Sequence, residues 1–117
     1  MNTITEKLND LNRLLSSGQL LDAFEKHYHR DVIMQENALP PILGKEANRL
    51  REKEFLNNII EFRAAHVLDT AVSNDVSFVK WHFDYTHKVW GVRNYTQVSV
   101  QHWKEGLIIN EQFFYDN

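Results

Sequence analysis

Over the first 28 residues the apolar positions recur at helical spacing. Ile4, Leu8, Leu11 and Leu15 lie three or four residues apart. After a break at "SSG" (16–18), Leu20, Leu21, Phe24 and Tyr28 resume the pattern. Two helices are predicted, with Gly18 suited to end the first. "VIMQEN" (32–37) is apolar at its start and reads as a strand. "ALPPILGK" holds both prolines and reads as a loop. "KEANRLREKEFLNNIIEF" predicts a third helix, dense in charge, on which Ala47, Leu50, Phe55, Leu56, Ile59 and Ile60 make only a loose apolar stripe.

The period then changes to two. "RAAHVLDTAV" predicts the start of a strand and "SND" (73–75) a turn. In "VSFVKWHFDYTHK", Val79, Trp81, Phe83 and Tyr85 point one way, while Lys80, His82, Asp84, Thr86 and Lys88 point the other. "VWGVRN" turns the chain into the strand "YTQVSVQHWK", and "EG" (105–106) turns it into the last. Helices ahead of a run of antiparallel strands predict an α+β domain. The expected architecture is a curved antiparallel sheet wrapped around the N-terminal helices, α-α-β-α-β-β-β-β, in one domain spanning 1–117. Such a wrap encloses a cavity where the inward side chains fail to fill it.

Composition removes several function classes. The net charge is -3, so no basic field points to nucleic acid or to an anionic membrane surface. There is no cysteine, hence no disulfide frame, thiolate nucleophile or cysteine-based zinc site. The start lacks the apolar run of a signal peptide, and no stretch approaches the ~20 apolar residues that span a bilayer. A cytoplasmic location is expected. The histidines of "HYH" (27–29) do not align on a helix, and His82 and His87 face opposite sides of a strand. No metal site is expected, and four isolated glycines give no phosphate loop and no expected cofactor.

The order of elements, with "SSGQLLDAFEKHYHRDVIMQEN" early and "VQHWKEGLIINEQFFYD" late, resembles the nuclear transport factor 2-like superfamily, and more narrowly its SnoaL-like group. The segment "WHFDYTH" (81–87) is similar to that group's W-x-x-x-G-T-H strand. Trp81, Thr86 and His87 match, and Tyr85 stands in place of the glycine. The resemblance implies a cystatin-like cone with odd-numbered residues facing inward on the last three strands. The inward sets are then Trp81 and Tyr85; Tyr95, Gln97, Ser99, Gln101 and Trp103; and Glu111, Phe113 and Tyr115. Aromatic and amide side chains together describe a ligand-pocket lining. The outward Val98 and Val100 then suit a homodimer interface through the sheet.

The ketosteroid isomerase branch of this superfamily uses a carboxylate at the end of the first strand as a proton-transfer base, and Glu36 falls at that position. Its oxyanion-hole positions fall on Leu11 and Ser99. Leucine cannot donate a hydrogen bond, and a serine hydroxyl donates less strongly than a carboxylic acid. The histidine of the cyclases' G-T-H is kept as His87. The resemblance thus implies a small apolar molecule as partner, with proton transfer or cyclisation on a carbonyl compound. Glu36 would be the base, and Tyr85, His87, Tyr95 or Ser99 would orient the substrate oxygen. Two other readings stand beside it: a non-catalytic binding module and an assembly domain. Each residue also has a plainer role. Glu36 could pair with Arg63, Glu111 could bond Gln97 or Gln101, His87 could be exposed at a hairpin end, and Trp81 and Trp103 could be core.

Overall fold

A computed structural model of the chain describes residues 3–116. Helix α1 (Ile4–Ser16) starts at a capping box in which the Thr3 hydroxyl accepts from the Glu6 backbone and the Glu6 carboxylate accepts from Thr3. Its buried stripe is Leu8, Leu11 and Leu14. Gly18, at φ 79°, reverses the chain after it. Helix α2 (Leu20–His27) is joined to α1 by Asp10, which accepts from His27 at 2.7 Å and pairs with Lys26 at 2.8 Å.

Strand β1 (Tyr28–Glu36) begins four residues before the expected strand, because Tyr28 is already paired with Ile108 across the sheet. The proline loop contains a short strand β2 (Ile42–Leu43), followed by α3 (Lys45–Asn57). The expected third helix ran to Phe62. Instead the chain enters β3 (Ile59–Ser73), where Ile59 and Phe62 pair with His87 and Tyr85 of β4 (Val76–His87). Long-range pairing overrides local pattern there. Strands β5 (Gly91–Lys104) and β6 (Leu107–Tyr115) complete the sheet, joined at Glu105 and Gly106, both with positive φ as a two-residue primed turn requires.

The sheet order is β2-β1-β6-β5-β4-β3. The α+β architecture expected from the pattern is present, with one change of detail. β1 and β6 pair in parallel, so the sheet is mixed. Tight turns force β3 to β6 to alternate in direction, but no turn links β1 to β6. Irregular registers between Ile59 and Glu61, Phe62 and Ala64, and Val67 and Asp69 bend β3 over the helices. No helix among the described residues is long and apolar enough to cross a membrane.

Candidate functional site

The inner face of the sheet is divided in two. Towards the β5–β6 turn its side chains are packed solid, and Val79, Trp103 and Ile108 share one buried cluster with Leu8, Leu11 and Phe24. Towards the β4–β5 turn they are not, and a cavity of about 1070 Å³ opens between them and α3. Ligand pockets commonly measure roughly 300–1,000 Å³.

Aromatic rings wall this cavity. Trp81 stacks on Phe83 at 5.2 Å, Tyr95 lies 5.4 Å from Tyr115, and Phe55 of α3 meets Tyr85 edge-on at 5.4 Å. Phe113, Gln97 and Ser99 complete the sheet side, with the Gln97 amide donating to the Ser99 hydroxyl at 3.2 Å. Leu39, Val89 and Trp90 are exposed at the cavity's edge. The alternation in β4 and β5 therefore places Trp81, Tyr85, Tyr95, Gln97 and Ser99 on one wall, with Val98 turned outward.

Two of the expected lining residues lie elsewhere. Gln101 and Trp103 sit behind the cavity in the packed half. The Trp103 indole N–H donates to Ser77 Oγ at 2.8 Å, and Ser77 donates to Gln101 Oε1 at 2.6 Å. The Gln101 amide in turn donates to Glu111 Oε2 at 2.8 Å, while the Tyr28 hydroxyl donates to Glu111 Oε1. Inward alternation was correct for both residues, but cavity and core share that face, and period two does not say where one ends. Glu111 stands at the boundary. Its carboxyl is buried, and desolvation pushes its pKa up to about 7 against the pull of the two donors.

Glu36 and His87 lie at different parts of the cavity. Glu36 accepts from the Tyr115 hydroxyl at 2.7 Å and from Arg51 at 3.2 Å, and its side chain is 37% exposed. Arg63 is not its partner, since Arg63 binds Asp84, Glu61 and Thr86. His87 is buried and stacks on Trp90 at 3.8 Å. Its Nδ1 accepts from the backbone N–H of Val89 and Trp90, which leaves the proton on Nε2. No hydrogen bond joins Glu36 to His87. A row of tyrosines separates them, in which Tyr85 and Tyr95 hydroxyls are 3.0 Å apart. Burial, and then the neighbouring hydroxyl, holds the Tyr95 phenol well above its ordinary range; burial, and then Glu36, does the same for Tyr115. One proton bridges Tyr85 and Tyr95, so the accepting member keeps a second, uncommitted O–H.

The sequence reading found only the apolar part of the α3 wall, Phe55 and Leu56. Leu50 and Ala47, counted in the apolar stripe, are exposed, and the inward face is Asn48, Arg51, Glu52 and Phe55. Asn48 is fully buried and donates to the carbonyls of Gly44 and Ile42 at 2.8 and 3.0 Å. The signal that could have found this face is the spacing of Asn48, Glu52 and Phe55, one turn apart each. Glu52 is held up to about 7, chiefly by burial, with Arg51 opposing.

A SnoaL-like polyketide cyclase candidate from Mesorhizobium loti superposes at a TM-score of 0.87, with 29% identity over 97% of this chain and 100% of that one. This likeness supports the SnoaL-like group of the nuclear transport factor 2-like superfamily, whose fold the chain has. Another such cyclase candidate, from Jannaschia sp. CCS1, superposes on the SnoaL-like chain at 0.81 with 13% identity, over 99% of it and 90% of the other. A Catenulispora acidiphila protein with a ketosteroid isomerase-like fold, solved with trimethylamine, gives 0.78 at 12% identity, over 97% and 88%. These last two speak to the fold alone. No protein-family model and no curated protein matches the sequence.

Proposed function

We propose that this SnoaL-like protein binds a small, largely apolar carbonyl compound in its cavity and moves a proton on it, as an isomerase or a cyclase does. The observation that carries the reading is the cavity itself: about 1070 Å³, walled by aromatic rings, with carboxylates and a free phenolic O–H facing the same space. An apolar body fits the rings. The uncommitted O–H of the Tyr85–Tyr95 pair is a donor for a carbonyl oxygen, and it strengthens as that oxygen gains charge. Ser99, Gln97 and the Nε2–H of His87 offer further polar contacts, and a carboxylate takes the proton.

The test needs no knowledge of the natural substrate. α-Tetralone, an apolar bicyclic ketone, is incubated with the protein in D₂O, and deuterium entering beside its carbonyl is followed by NMR. Binding is measured in parallel by calorimetry. Binding with exchange above the buffer rate is expected. Binding without exchange would overturn proton transfer and leave a non-catalytic binding module, and the absence of both would overturn the whole reading.

The outer face of the sheet supports a second property, self-association. Phe78, Val98 and Phe114 are 38%, 36% and 44% exposed on adjacent strands, with Val98 paired to Phe114. A second copy of the same face would cover them symmetrically.

A further inference from the structure

We infer that Glu52 on α3, rather than the strand-end Glu36, is the group that exchanges a proton with the molecule in the cavity. The inference rests on the reading that the cavity takes a carbonyl compound, and identifies the acid–base residue within it.

Four carboxylates line the cavity. Glu54 is exposed. Glu111 has both oxygens engaged, one by the Tyr28 hydroxyl and one by the Gln101 amide. Glu36 also has both engaged, by Tyr115 and Arg51, and is open to water. Glu52 differs from all three. Its Oε1 meets a single, long contact from Arg51 at 3.3 Å, and its Oε2 has no donor among the described residues. Yet its side chain is only 12% exposed. A carboxylate sheltered from water with an oxygen left free is placed to accept from whatever enters the cavity.

The helix holds this group in place. One turn before Glu52, Asn48 pins α3 to the carbonyls of Gly44 and Ile42. One turn after, Phe55 lies edge-on to Tyr85, the ring that carries one of the paired hydroxyls. The base and the hydroxyl donor are thus tied to each other through one side chain. The charged and titratable groups around Glu52 are Arg51 on its own helix, Glu36 and Tyr28 on β1, and Glu111 on β6. With its proton affinity at about 7, Glu52 passes readily between acid and carboxylate at neutral pH.

The step balances without another reactant. Glu52 Oε2 takes the proton from the carbon beside the carbonyl. The C–H electron pair becomes a C–C π bond, and the carbonyl π pair moves to oxygen, giving an enolate held by the tyrosine hydroxyl. Return of a proton, or of a deuteron after Glu52 has exchanged with D₂O, reverses these movements.

Two experiments decide the matter. In the α-tetralone assay, Glu52→Gln is expected to lower exchange at least 100-fold while the calorimetric Kd stays within about threefold, and Glu36→Gln to lower it far less. If Glu52→Gln exchanges like the parent protein, the inference falls and the carbonyl reading stands. The second experiment does not depend on turnover. Diphenyldiazomethane, a neutral apolar reagent, esterifies a protonated carboxyl. The acid proton moves to the diazo carbon, dinitrogen leaves, and the carboxylate oxygen bonds that carbon. Peptide mass mapping is expected to find the ester on Glu52. An ester on Glu36 or Glu111 with none on Glu52, or no ester on Glu52 at all, overturns the inference. An ester on Glu52 without tetralone exchange keeps Glu52 as the cavity's accessible acid and removes the carbonyl reading.

Discussion

Replacing Glu111 by glutamine should remove a specific part of the protein's pH dependence. Glu111 is 2% exposed, and burial raises its pKa from 4.5 to about 7. Each pH unit is worth about 1.4 kcal/mol, so the rise corresponds to about 3 kcal/mol. The sign follows from proton binding. Between pH 4.5 and about 7 the folded chain holds a proton on Glu111 that the unfolded chain has released, so stability falls as pH rises through this window. The contribution is intact below pH 4.5 and gone above about 7. His27 works in the opposite direction, because burial lowers its proton affinity below 6.5 and its neutral form is favoured on folding. The difference between the parent protein and Glu111→Gln cancels His27. Urea unfolding followed by tryptophan fluorescence at pH 4.5 and pH 8 gives that difference directly. The stability of the parent relative to the variant should drop by about 3 kcal/mol between the two. Repeating the comparison in a Glu52→Gln background removes the mutual repulsion of the two carboxylates. A difference constant to within about 1 kcal/mol in both backgrounds would mean that Glu111 ionises as an ordinary surface carboxylate, and the burial argument would fail.

Three further variants test separate parts of the structure. Tyr28→Phe deletes a donor to Glu111 and should lower stability at pH 8 by about 1–3 kcal/mol, with a smaller loss at pH 4.5 where Glu111 is protonated; equal losses at both would contradict the pairing. Trp103→Phe leaves the buried Ser77 hydroxyl without its donor and should cost about 1–3 kcal/mol in urea unfolding. Because Trp103 lies in the packed half, the α-tetralone Kd should not change, and a large change would place it at the cavity after all. Val98→Asp puts a charge at the centre of the outer apolar face. Sedimentation should show the parent protein as a dimer and the variant as a monomer at micromolar concentration, and a monomeric parent would rule out self-association through this face.

Much of the fold was written in the order and period of the chain. Leu8 and Leu11 at helical spacing, Gly18 at the break, and the alternation through Val79, Trp81, Phe83 and Tyr85 are local signals, and each matches the structure. The candidate wall was legible in part: period two groups the residues of a strand by side, and the family resemblance named the odd-numbered side as inward. Boundaries set by distant partners were not legible. Tyr28 and Ile59 continue helical patterns, yet both join strands because residues far along the chain pair with them.

The sequence by itself determined the succession of elements and which residues of β4 and β5 share a side. Local geometry fixes both, and local geometry is what a repeat of 3.6 or two residues records. Only the tertiary structure decided the parallel pairing of β1 with β6, the line dividing Trp103 in the core from Tyr95 at the cavity, and the turning of Asn48 and Glu52 inward on α3. These depend on how the sheet bends over the helices and how much space it leaves. A helix facing an unfilled space need not be apolar there, so Asn48 and Glu52 share the inward face with Phe55 although a hydrophobic pattern does not count them.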